Sequence, residues 1–155
     1  MTEQEQRVSN LIRTAFAGVT LGEGVGLRQG RGLDDYADER TLASYRAQDE
    51  KDDWSAISIE DLNRYHSSLP FFDPEGMRFH LPAYLLADLE HALKIADVLF
   101  PLVYLADGAQ SRFQALSGAQ RDAVREFLLL RLSDPNYEFP RPMIETALRD
   151  YWKPN

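Results

Sequence analysis

Pro82-Ala83-Tyr84-Leu85-Leu86-Ala87-Asp88-Leu89-Glu90-His91-Ala92-Leu93-Lys94-Ile95-Ala96-Asp97-Val98-Leu99-Phe100 is the most apolar stretch of the chain. Tyr84, Leu85, Leu89, Ala92, Leu93, Ala96, Leu99 and Phe100 recur at helical spacing. Pro82 suits a first helical turn, and Pro101 closes the run. The pattern predicts one long helix at the centre of the core.

Helical signals continue on both sides. Downstream, Ser117-Gly118-Ala119-Gln120 has the form of a capping box, with Val124, Phe127, Leu128 and Leu132 following on one face. A last helix starts near Pro142 and carries Ile144, Ala147, Leu148, Tyr151 and Trp152. Upstream, Val8, Leu11, Ile12, Ala15 and Phe16 line one face of a helix over residues 2–17. From Asp34 to Glu50 the chain is helix-compatible, with Tyr36, Leu42 and Tyr45 as inward residues. Ser58 caps a short helix through Ile59, Leu62 and Tyr65 that ends before Pro70. Between these lie two breaks. Gly18, Gly22, Gly24, Gly26, Gly30 and Gly32, six of the nine glycines, read as a loop with a short extended piece at Val25–Leu27. Pro74 and Gly76 read as a turn between two apolar pieces, a small hairpin over residues 71–81.

With 155 residues the chain has the size of one domain, residues 1–155. The expected architecture is all-α or strongly α-weighted: a compact bundle of about five or six helices, with at most a small β-hairpin near residues 71–81. Trp54 and Trp152 are expected to be buried. The absence of cysteine removes disulfides, thiolate nucleophiles and Cys-containing zinc sites. A polar, acidic N-terminus and the lack of an 18-residue apolar run point away from export and membrane spanning. The expected compartment is the cytoplasm.

The formal net charge is −8, and its distribution is uneven. Residues 34–75 hold 12 acidic and four basic side chains, so the whole imbalance sits in that segment. Clustered cations, which nucleic acid and anionic membranes require, are absent, so neither is an expected partner. The densest acidic run is Asp49-Glu50-Lys51-Asp52-Asp53-Trp54, four carboxylates in five positions before a tryptophan. Solvent alone tolerates such repulsion on a helix end or loop, and a cationic partner facing it relieves it further. The run lacks the regular ligand spacing and turn glycine of a calcium loop.

Other chemistry is thinly represented. Gly24-Val25-Gly26 followed by Gly30 misses the Gly-x-Gly-x-x-Gly spacing of a phosphate cradle, and the segment before it reads as helix rather than strand. The histidines, His66, His80 and His91, form no His-Glu-x-x-His pair, and Asp88-Leu89-Glu90-His91 reads as the polar side of a helix. No Gly-x-Ser-x-Gly elbow occurs. No metal site and no cofactor is expected. His66, Asp73, Arg78 and His80 form a polar set that a chain of this size supplies by chance as easily as by design; acid–base chemistry between a histidine and a carboxylate is open to it.

The blocks Asp49-Glu50-Lys51-Asp52-Asp53-Trp54 and Gly76-Met77-Arg78-Phe79-His80-Leu81-Pro82-Ala83-Tyr84 resemble the pattern of a family of small uncharacterised bacterial cytoplasmic proteins. The Gly22-rich loop and the Ser117–Leu128 helix fit it loosely. The resemblance covers most of the chain, implies a bacterial cytoplasmic origin, and carries no catalytic residue with it.

Two functional expectations follow. The first is a small acidic binding protein, of the immunity or inhibitor kind, a monomer or small homo-oligomer that docks a basic protein through Asp49, Glu50, Asp52 and Asp53. The second is an enzyme or small-ligand binder with a pocket lined by Tyr45, Trp54, His66, Arg78 and His80.

Overall fold

The computed structural model describes residues 1–154. Among them lie eight α-helices, four 3-10 turns and no strand. The helices are α1 (Glu3–Ala15), α2 (Leu27–Asp34), α3 (Glu39–Gln48), α4 (Ile59–Arg64), α5 (Pro74–Leu89), α6 (Leu99–Val103), α7 (Gly118–Leu132) and α8 (Arg141–Asp150). This exceeds the five or six expected, because one long helix is split and a glycine-rich stretch is helical.

The central helix is α5, buried on nearly every side, as a helix apolar all round must be. It begins at Pro74, so the hairpin over residues 71–81 does not exist. The Asp73 carboxylate accepts the Gly76 N–H at 2.9 Å, and Pro74 occupies the first turn, where its missing N–H costs nothing. Pro82 therefore lies inside the helix, where it cannot donate to the carbonyl one turn back. The helix stops at Glu90 instead of running on to Phe100. His91 takes a left-handed backbone with φ 55°, and the Ala92 N–H reaches back to the Ala87 carbonyl at 2.9 Å. That is the Schellman geometry with histidine where glycine is usual.

The glycine-rich stretch is also partly helical. Gly30 and Gly32 lie within α2, because the helix packs too closely to admit a side chain. A Cβ on Gly30 would stand 2.8 Å from the Ser68 Cβ, and one on Gly32 2.8 Å from Leu42 Cδ2. α2 ends as α5 does, with Tyr36 left-handed at φ 56° and Ala37 N–H bonded to the Gly32 carbonyl. This geometry turns Tyr36 outward, 96% exposed, rather than into the core.

Around α5 pack α1, α4, the 3-10 turn Trp54–Ala56 and the 3-10 turn Ala109–Phe113. α7 joins α1 to α8, and α8 also meets α6. α2 pairs with α3 and lies against the 3-10 turn His66–Phe71. Both tryptophans are buried with their indole N–H satisfied: Trp54 donates to the Phe16 carbonyl at 2.9 Å and Trp152 to the Leu102 carbonyl at 2.8 Å. Ser58 and Ser117 cap α4 and α7 as their sequences indicate.

Candidate functional site

The loop from Gly22 to Gln29 points its backbone N–H groups at anions, as a phosphate cradle does, but the anions are the chain's own carboxylates. Glu23 N–H donates to Glu75 Oε2 at 3.1 Å and Val25 N–H to Asp73 Oδ1 at 2.9 Å. Arg28 and Gln29 N–H, in the first turn of α2, donate to the two oxygens of Asp49 at 2.7 and 3.1 Å. Gly26 caps α2 and has no side chain to do this itself. A Cβ there would collide with the Asp49 carboxylate. Asp49 thus acts as the missing cap from 21 residues away, with Arg28 Nη1 3.5 Å from the same oxygen. Burial pushes the Asp49 carboxyl above the usual carboxylate range, opposed by the Arg28 and Gln29 N–H groups and the Arg28 charge.

A separate feature is an open, largely apolar cavity of about 610 Å³, within the size range of ligand clefts. His66, Leu69 and Pro70 form one side, and Ile95 to Asp97, α6 and residues 106–112 form the rest. Phe100 and Tyr104 stand one helical turn apart and stack, ring centres 5.2 Å apart and planes 10° from parallel. They are 53% and 43% exposed, and Ile95 beside them is 64% exposed. Two carboxylates share the lining. Asp97 accepts the Leu99 N–H at 3.0 Å, and Asp107 accepts the Tyr104 hydroxyl at 3.4 Å.

A family of unknown function, DUF6714, matches residues 4–155. The chain belongs to this family. No curated protein and no solved structure matches it. The DUF6714 match spans both the internal carboxylate cradle and the cavity beside α6, so each is part of the family's domain.

Within this DUF6714 domain the four acidic residues of the densest run divide. Asp49 is not on the surface at all; its side chain is wholly covered. Glu50 is half-buried and accepts the N–H groups of Asp52 and Asp53 at 3.1 and 3.2 Å. Asp53 is exposed and caps the next turn through Ser55 N and Oγ at 3.0 and 2.6 Å. Asp52 is exposed, with neither carboxylate oxygen engaged among the described residues. Lys51, in the middle of the run, donates to the Arg46 and Asp49 carbonyls at 3.0 and 2.8 Å.

The five residues expected around a pocket lie apart. Trp54 belongs to the core, Tyr45 packs half-buried against Gly32 of α2, and His66 is exposed at the cavity beside α6. Arg78 is half-buried, with its Nε covered and unpartnered. His80 is fully buried in α5, stacked on Phe72 at 4.2 Å. Its Nδ1 lies 2.7 Å from the Gly76 carbonyl, which can only accept, so Nδ1 carries the proton and Nε2 is left without a partner. Burial lowers the His80 pKa to about 4, against the Gly76 hydrogen bond and the charge of Asp73. The Tyr84 hydroxyl, one turn along, is also buried and unpartnered, and burial raises its pKa. Asp88, expected on a solvated side, pairs with the buried Arg131 at 3.0 Å. Among the described residues no three His, Asp or Glu side chains converge as a metal site needs.

The cavity escaped the sequence reading because its walls come from three separate segments. The long-helix spacing places Phe100 inward, whereas Phe100 stands half exposed at the cavity.

Proposed function

We propose that the protein is a cytoplasmic binding protein, inhibitor- or immunity-like, that docks a basic protein through the surface of α2, α3 and residues 50–53. One observation carries this reading. Of the four cations in the acidic segment, Arg46 and Lys51 are turned onto backbone carbonyls, Arg46 reaching those of Gly22 and Gly24 at 2.6 and 3.2 Å. They neutralise no carboxylate directly. Asp34, Glu39, Asp52 and Asp53 are exposed and, among the described residues, join no ion pair. The exposed Arg40 beside Glu39 also joins no ion pair among the described residues, so the face carries a net negative charge with one cation on it; such a face speeds encounter with a cationic surface and rejects anionic ones. No helix among the described residues is long and apolar enough to cross a membrane.

The test is capture from the source cell with wild-type protein and a variant carrying D34N, E39Q, D52N and D53N, Asp49 being left intact because it holds α2. A retained basic protein should associate more slowly with the variant, with a flatter dependence on salt. Retention of no basic protein, or association indifferent to the four changes, refutes the reading.

A further inference from the structure

The geometry points to the cavity beside α6 as the recognition site for a basic, apolar-flanked peptide segment, an arginine or lysine side chain lying against the outer face of the Phe100–Tyr104 pair near Asp97 and Asp107. This rests on the reading of the partner as a basic protein and names the place where its side chains would be read.

Three features select this occupant. The stacked pair covers one face of each ring and leaves each outer face at a half-exposed position, and a cation over such a face is attracted by the ring quadrupole. Leu69, Pro70, Ala96 and Pro101 give the methylene stem of a long basic side chain apolar surface to cover. The lining carries two carboxylates against one guanidinium, that of Arg112, together with the exposed His66. Charge therefore favours a cationic guest, and it disfavours a second copy of this chain, whose net charge is −8.

The shape favours a chain segment over a small solute. The cavity is open along one side rather than enclosed, with Ile95, Phe100 and Tyr104 partly exposed at it. A peptide laid across an open trough supplies its own cover. The wall His66–Pro70 also belongs to the turn on which α2 packs, so the cavity adjoins the element that carries Asp34.

The experiment titrates full-length ¹⁵N-labelled protein with the peptide acetyl-Leu-Arg-Ala-Leu-Arg-Leu-amide and with its counterpart carrying citrulline, which is neutral and nearly isosteric, in place of both arginines. The arginine peptide should shift the backbone amides of residues 66–69 and of residues 95–112 other than Pro101, and the citrulline peptide should bind about fivefold or more weakly. Phe100→Ala and Asp107→Asn should each weaken the arginine peptide by about threefold or more. Asn keeps the left-handed backbone that Asp107 adopts at φ 56°, so the second variant tests charge without disturbing the turn. Equal binding of the two peptides overturns the proposal, as does the absence of any shift at the cavity. Shifts confined to α2, α3 and residues 50–53 also overturn it while leaving the acidic-face reading standing. Conversely, cavity shifts together with capture that ignores the four surface carboxylates sustain this site and refute that reading.

Discussion

The Asp49 carboxylate and the Arg28 backbone N–H are joined at 2.7 Å, across 21 residues of chain, and the other Asp49 oxygen holds Gln29 N–H at 3.1 Å. A helix whose capping residue is Gly26 has borrowed its cap from the acidic run that follows the next helix. The run's charge is thus partly structural, and its members differ in what they do. Asp49→Ala should cost about 2–3 kcal/mol, since two hydrogen bonds to a charged acceptor are lost inside the protein. Asp52→Asn, on the exposed neighbour, should stay within about 0.5 kcal/mol. Urea unfolding of the two variants checks this. Equal stability would mean that the cap contributes nothing.

Replacing Gly30 by alanine tests the close contact between α2 and the turn His66–Phe71. Helix propensity alone predicts a gain of about 1 kcal/mol. Against it, the new Cβ would lie 2.8 Å from the Ser68 Cβ and 3.2 Å from its Cα, and Ser68 is fully buried with its hydroxyl bonded to the Leu27 carbonyl at 2.6 Å. Overpacking of that kind costs about 1–3 kcal/mol. The net expectation is a lower thermal midpoint; a rise would show that the two elements can separate freely.

Trp54→Ala should cost about 3–5 kcal/mol, because the indole fills core space and its N–H satisfies the Phe16 carbonyl. Trp54→Phe keeps most of the volume and loses the hydrogen bond, so it should fall between. A loss below about 1 kcal/mol for the alanine variant, by denaturant unfolding, would place the residue outside the core.

These contacts show which parts of the molecule are written locally. α1, α4, α7 and α8 follow from a 3.6-residue apolar period bounded by Ser58, Ser117 or Pro142, signals that act over one turn. Asp73-Pro74-Glu75-Gly76 is equally a turn and a helix start, and only the burial of Met77 and Phe79 decides between them. The end of α5 is hidden because histidine stands at the left-handed position and the apolar period runs on past it. α2 is hidden because its glycines answer to Ser68, Leu42 and Tyr45, residues outside the helix itself. Asp49 is the clearest case. Its surroundings in sequence describe a solvated surface, while its role is set by the N–H groups of a helix that precedes it. The cavity beside α6 has no local signature, being assembled from three segments.

Acid should unfold this protein earlier than its exposed carboxylates alone dictate, through His80. The ring is neutral and enclosed, its Nδ1–H held by the Gly76 carbonyl and its face by Phe72. Protonating Nε2 would place a charge where no acceptor waits. With its pKa lowered to about 4 in the folded chain and near 6.5 when unfolded, the unfolded state binds the extra proton first as pH falls. Stability from this group is therefore complete above about pH 6.5 and declines towards pH 4, by about 3 kcal/mol in all. The nearby charge of Asp73 works in the opposite direction by favouring the imidazolium, and its own carboxylate is engaged with the Gly76 and Val25 N–H groups. The measurement is denaturant unfolding at intervals from pH 7.5 to 4 for wild type and for His80→Leu, which fills similar space and cannot titrate. The variant gives up the Gly76 hydrogen bond, so it should be less stable at pH 7.5, but its stability should fall less steeply between pH 6.5 and 4. Parallel curves for the two proteins would show that His80 takes no part in the acid response.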